Sequence, residues 1–200
     1  SDKHTQTAAE VINNYTETDL IRILRMYGDA RFASRIAREV VTTRQKAPIE
    51  TTFQLVDVIK RAIPAAARRH GGHPARKTFQ ALRIEVNHEL DALGSGLRAA
   101  VRWANPGGRI CVISYHTLED RNDKHVFSEL SQGCTCPPDL PVCVCGNVPI
   151  VEVRTRKPLV ATDEEVARNP RARTALTRVA VKLDAADARN KVRPVERPFA

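Results

Sequence analysis

NPGGRICVISYHTLEDR, residues 105–121, decides the fold. A Pro106-Gly107-Gly108 turn feeds Ile110, Cys111, Val112 and Ile113, an apolar run that is continuous rather than alternating. Such a run predicts a strand buried on both faces of a parallel sheet, with Cys111 in the core. Upstream, Phe79, Leu82, Val86, Leu90 and Leu93 recur at i, i+3 and i+4, predicting one long helix that Pro74 leads into and that loosens around Gly94 and Gly96. A helix, a tight turn and a buried strand make the repeating step of a doubly wound α/β fold.

Working outward, residues 121–131 read as helix, 134–149 as a Cys/Pro loop and Ile150–Thr155 as a strand. DEEVA (163–167) opens a short helix with acids at its positive end, TRVAVKL (177–183) alternates as a last strand, and the polar tail 184–200 predicts a flexible end. Towards the N-terminus the signals are helical. Thr7 with Glu10, Thr16 with Asp19 and Thr51 with Gln54 have the spacing of capping boxes, and each marks a helix start. Apolar residues then recur at helical spacing: Leu20, Ile23 and Leu24; Phe32, Ile36 and Val40; Leu55, Val58, Ile59 and Ile63. Arg31, Arg35 and Arg38 belong on the wet face of this lobe. The stretch PAAARRHGGHPARK (64–77) breaks the pattern and reads as a basic connector. The expected organisation is a helical lobe over 1–74, an α/β part over 75–183 and a tail over 184–200.

Composition narrows the function classes. Two hundred residues, 42% of them hydrophobic, suffice for one globular domain and a small appendage. Charged residues interrupt every apolar segment before the ~20 residues of a membrane span, and the chain opens without an apolar signal core, so it reads as cytoplasmic. The absence of an initiating Met is what an excised or trimmed chain would show. Against 23 acidic residues stand 32 basic ones, a net charge of +9 that favours a polyanionic partner. The window 60–84 holds Lys60, Arg61, Arg68, Arg69, Arg76, Lys77 and Arg83 and no acid, which suits either a solvated face or a phosphate-contacting segment. Aromatic content of 4% leaves few residues for a base-stacking platform.

Two groups of residues carry chemistry. His116, Thr117, Glu119, Asp120 and Arg121 follow the carboxyl end of the predicted strand, the edge at which open α/β sheets bind ligands. They combine hydrogen-bond acceptors with a guanidinium fork; the same types also suit a capping and salt-bridge cluster at a helix start. Cys134, Cys136, Cys143 and Cys145 form two CxC pairs six residues apart. They suit four reduced thiols in a proline-stiffened loop or, alternatively, one tetrahedral Zn2+.

KTFQALRIEVNHELDAL, PGGRICVISYHTLEDR, GCTCPPDLPVCVCG and RTRKPLVATDEEVARNPRAR, taken in order with YGDARFASRIAREV and RRHGGHPARKTFQALR, resemble the H-type 16S rRNA (cytosine-N4)-methyltransferases over residues 8–183. The resemblance implies a class I, Rossmann-like methyltransferase sheet with an all-helical insertion. It also implies methyl transfer from S-adenosylmethionine to the N4 amine of a decoding-region cytidine in the small ribosomal subunit. In such families the cofactor lies on glycine-rich turns of the first strands, and the nine glycines here supply none. The cofactor site is therefore expected upstream of Ser1, in a segment on the order of 100 residues, half a doubly wound sheet. The piece alone would then be inactive, and its open sheet edge would favour self-association.

On this reading His116, with Asp120 or Glu119, neighbours the target base, and Arg121 is a structural or phosphate contact. Arg68, Arg69, His73, Arg76 and Lys77, with Arg154, Arg156 and Lys157 as a second patch, would contact RNA. The competing reading is a non-enzymatic RNA-binding or zinc-stabilised module that keeps the family's substrate surface without its cofactor site.

Overall fold

A computed structural model of the chain describes residues 6–68, 73–137 and 144–190. The chain divides into two compact units, Ser1–Glu89 and Leu90–Ala200.

The first unit is helical: α1 (Ala8–Asn14), α2 (Glu17–Met26), α3 (Ala33–Arg44), α4 (Thr52–Ala62), the single turn α5 (Ala65–Arg68) and α6 (Arg76–Asn87). The three expected helix starts are real. Thr7 and Thr51 close full capping boxes with Glu10 and Gln54, and the Thr16 hydroxyl accepts the Asp19 amide and donates to its carboxylate. Leu20, Ile23, Ile36, Val40, Val58, Ile59 and Leu82 are buried together, so the helical spacing in the sequence is a core stripe. Arg44 of α3 donates to the Ile12 and Tyr15 carbonyls at 2.6 Å each, satisfying acceptors left open at the end of α1. Gly28 marks the closest backbone approach: a Cβ there would lie 2.7 Å from the Lys77 carbonyl oxygen. Arg31, Arg35 and Arg38 are exposed, as expected.

Because α6 packs on α1 and α2, the first unit runs past the connector to Glu89. The single long helix expected from Phe79 to Leu93 is two helices. His88 adopts the left-handed conformation (φ 49°), ends α6, and lets α7 (Glu89–Trp103) start afresh. Neither Gly nor Pro stands at this break, so the periodicity ran across it unmarked. Gly94 and Gly96 do not loosen α7, which is continuous through both. Gly94 is buried where the helix meets Asn122, whose amide donates to the Leu90 carbonyl at 3.0 Å.

The second unit adds β1 (Arg109–Ser114), α8 (Thr117–Leu130), β2 (Val151–Val153), β3 (Leu159–Val160), α9 (Asp163–Arg168), a 3-10 turn (Pro170–Thr174), β4 (Leu176–Lys182) and α10 (Ala185–Asn190). The tail thus begins with a short helix; its last ten residues lie outside the described ones. β4 is central, with β1 antiparallel on one side and β2 followed by β3 antiparallel on the other.

Two expectations for β1 are corrected here. It is paired only with the antiparallel β4 among the described residues, and it is buried on one face. Ile110 and Ser114 face a core shared with Leu97 and Val101 of α7 and with Val126 and Phe127 of α8. Cys111 and Ile113 point the other way and are exposed, Ile113 to 56%. Both helices cover the same side of the sheet, so an apolar run that would suit two buried faces fills one. Cys111 is therefore not a core residue of this chain.

Candidate active site

β1 ends at Ser114, and after two residues α8 begins; this corner holds His116, Thr117, Glu119, Asp120 and Arg121. His116 is the N-cap of α8. Its Nδ1 accepts the Glu119 amide at 3.3 Å, while Glu119 Oε2 accepts the amides of Tyr115 (2.8 Å) and His116 (3.3 Å). The arrangement is a capping box with imidazole in place of the usual hydroxyl. With Nδ1 accepting, the ring hydrogen belongs on Nε2, an assignment drawn from the network. Nε2 is buried and lies 3.0 Å from Glu119 Oε1, an electrostatic contact without the alignment of a hydrogen bond.

Asp120 faces another way. Arg178 of β4 grips it at both oxygens, Nε to Oδ1 at 2.7 Å and Nη2 to Oδ2 at 2.9 Å, with side-chain exposures of 5% and 16%. Arg178 Nη1 reaches the Arg156 carbonyl at 3.4 Å. Arg121 is exposed and has no ion-pair partner among the described residues. Tyr115 is 58% exposed beside the cap.

One turn further, the buried Ser114 hydroxyl donates a short hydrogen bond to Oδ2 of Asp123, which is 0% exposed; Oδ1 has no partner. Burial pushes the Asp123 carboxyl above its ordinary value. The Ser114 hydrogen bond works against that shift, Asp120 and Glu119 add to it, and Arg178 opposes it.

The corner therefore brings His116, Glu119 and Asp120 within one helical turn but gives them different partners. Sequence reasoning missed Arg178, Ser114 and Asp123. A signal for Arg178 was present: in TRVAVKL, Val179 and Val181 alternate with Arg178 and Ala180, and it is the Arg178 and Ala180 side that is buried beneath α8.

In the Cys loop, the sulfurs of Cys134, Cys136 and Cys145 lie within 4.8 Å of one another; Cys143 lies outside the described residues. Cys145 and Cys134 sulfurs are 3.8 Å apart, the tetrahedron edge that Zn–S bonds of about 2.3 Å imply. Backbone amides point at the sulfurs, Thr135 and Asn147 at Cys145 (3.4 and 3.5 Å) and Val144 at Cys136 (3.4 Å).

Of the expected RNA contacts, Arg68, His73, Arg76 and Lys77 are exposed in the first unit, Lys77 paired with Asp29 at 3.3 Å, and Arg69 lies outside the described residues. In the second unit Arg154, Arg156 and Lys157 are exposed, Arg154 paired with Glu152 at 3.1 Å. The turns that follow a strand and lead into a helix, Tyr115–His116, Ala161–Thr162 and Leu183–Asp184, contain no glycine. The described residues thus do not fit a glycine-lined cofactor cradle. No helix among them is long and apolar enough to cross a membrane.

Comparison with known proteins gives the corner its context. A protein of Symbiobacterium thermophilum called ribosomal RNA small subunit methyltransferase H is 56% identical over 181 residues, covering 90% of this chain and 57% of that protein. Proteins of the same name from Heliobacterium modesticaldum and Pelobacter propionicus are 55% and 54% identical, covering 88% and 89% of this chain and 56% and 57% of their own lengths. The chain spans a little over half the length of these curated relatives. A family model described as the MraW methylase family matches residues 1–183, and with that match over nearly the whole length the chain belongs to the MraW methylase family.

Proposed function

We propose that this chain forms the substrate side of an enzyme that methylates the N4 amine of a cytidine in the decoding region of 16S rRNA, within the small ribosomal subunit. The relatives' names support rRNA as substrate. The observation that carries the reading is the polar corner at the carboxyl end of β1, where α/β sheets place their chemistry. A Rossmann-like parent sheet is supported by direction: β1 and β2 are each antiparallel to β4, hence parallel to each other, and α8 lies between them in the chain. The outer edge of β1 is where further strands or a second copy would pair, and the exposed Cys111 and Ile113 lie on the open face beside it.

S-adenosylmethionine would supply the methyl group, held by residues other than those described here. What this corner contributes is positioning. His116, carrying its hydrogen on the buried Nε2 beside Glu119 Oε1, would donate to a base that displaces this contact. Glu119, already ordered by two amides, offers Oε1 as acceptor for an amine proton. Asp120 has both oxygens committed to Arg178, so this pair braces the first turn of α8 and holds the other two residues in place. Arg121 would contact a phosphate, as would Arg68, His73, Arg76, Arg156 and Lys157, with Lys77 and Arg154 joining by exchange from Asp29 and Glu152; Arg69, expected with them, lies outside the described residues. A structural Zn2+ would be held by Cys134, Cys136 and Cys145, fixing the loop between α8 and β2.

The test uses the complete protein with labelled S-adenosylmethionine and small subunits from cells lacking the activity. Label should appear on one 16S cytidine, at N4 by mass spectrometry. Label on a protein, or on another rRNA position, would overturn the proposal.

A further inference from the structure

A pocket in the helical unit has the properties of a nucleotide phosphate site. Its volume is about 250 Å³, and it is lined by Arg31, Phe32, His73, Arg76, Lys77 and Thr78 among others. Two helix starts open onto it. α3 begins after Phe32 and α6 after Ala75; neither has a side-chain cap, and neither has an acid in its first turn. By contrast α1, α2, α4, α8 and α9 all begin with a side chain accepting a backbone amide. The first amides, of Ala33 and Arg76, are taken by the Ala30 and His73 carbonyls; the pair still places two positive dipole ends at one cavity, which Lys77 and Thr78 line with the next amides of α6.

A second observation is independent of the helix ends. The hydroxyl of Thr78, a residue 1% exposed that lines the pocket, is buried with no hydrogen-bond partner. A buried hydroxyl normally has one, and leaving it unmet costs stability. Charge points the same way. Arg31 and Arg76 are exposed and have no ion-pair partner among the described residues, and the Arg31 guanidinium lies over the Phe32 ring at 5.6 Å. Lys77 is held nearby by Asp29, donating to its backbone oxygen at 2.9 Å. The remaining wall is apolar, with Phe32 and Ile36 on one side.

We infer that this pocket binds a phosphodiester of the RNA substrate: the phosphate on the Lys77 and Thr78 amides at the start of α6, the Thr78 hydroxyl, Arg31 and Arg76, the attached nucleoside against Phe32. The assignment rests on the RNA-substrate reading above and deepens it, because it names a group of the RNA that is held away from the reacting base.

The test is a titration of the whole 200-residue chain, followed by the amide NMR signals of Lys77, Thr78 and Ser34. The probes are inorganic phosphate, cytidine, cytidine 5′-monophosphate and a ten-nucleotide single-stranded RNA. Phosphate, the monophosphate and the RNA should move these signals, and cytidine should not. The Arg31→Gln/Arg76→Gln double variant should bind the RNA at least about tenfold more weakly and lower its log–log salt slope by about 1–2. Thr78→Val, nearly isosteric, should weaken phosphate binding severalfold while its circular dichroism stays unchanged. No shift at these amides, equal response to cytidine, or a response to the monophosphate but not to RNA would each overturn the inference. Methylation by the complete protein that survives such a result would leave the RNA-substrate reading intact.

Discussion

Arg178, near the end of the chain on β4, holds Asp120 by both oxygens at 2.7 and 2.9 Å, tying the last strand to the first turn of α8. Both side chains are largely withdrawn from water, so either one left alone would be an unpaired buried charge. Asp120→Ala or Arg178→Ala should each destabilise the second unit by about 3–5 kcal/mol. Asp120→Leu/Arg178→Met should recover most of that loss. Urea unfolding of the parent, the two single Ala variants and Asp120→Ala/Arg178→Ala gives the coupling directly; additive losses would mean that the pair does not act as a unit.

Asp123 makes stability depend on pH. Its folded-state pKa is raised, so the folded protein binds this proton more tightly than the unfolded chain. The sign follows: the contribution is most favourable below the ordinary value of 3.8, fades as pH rises from there through the folded pKa, and is a standing penalty above it. Asp123→Asn removes the ionisation. Relative to the parent, it should gain stability as pH rises from about 4 towards neutrality. Thermal melts across that range check this, and parallel curves for the two proteins would contradict it.

Much of this was legible in the sequence, and the misses share a cause. The capping boxes, the helical core stripes and the strand at 109–114 were readable because each signal lies within a few residues. The break at His88 left little mark, since most His residues in a helical pattern stay helical and neither Gly nor Pro stands there. The exposure of Cys111 depends on which side α7 and α8 pack, a tertiary choice that a four-residue apolar run does not encode. The Asp120–Arg178 pair spans 58 residues, beyond the reach of any spacing argument. At the corner, composition singled out the segment 116–121, but only the partners separate Asp120, committed to Arg178, from Glu119.

The cysteine cluster predicts a bound metal. Protein prepared without chelator should carry close to one equivalent of zinc by elemental analysis, and Cys134→Ser or Cys145→Ser should lose it. Stripping the metal should loosen the loop between α8 and β2, visible as faster amide exchange near Asn147, whose side chain now donates to Gly133 at 2.9 Å. Less than half an equivalent in the parent protein would rule out a structural site.

His116 caps α8 and is proposed to orient the base, and two substitutions divide these roles. As an N-cap it supports α8 through the Glu119 amide, and Ala there should cost about 1 kcal/mol of stability. Asn is among the best N-caps and restores an acceptor for that amide, so His116→Asn should keep parental stability. It cannot reproduce the imidazole donor at Nε2 that is proposed to orient the base. In the complete protein both variants should therefore lower methylation of small subunits by about 100-fold or more, even though only His116→Ala weakens the fold. If His116→Asn methylates at the parental rate while His116→Ala does not, the imidazole serves the helix alone, and base contact passes to Glu119 and Tyr115.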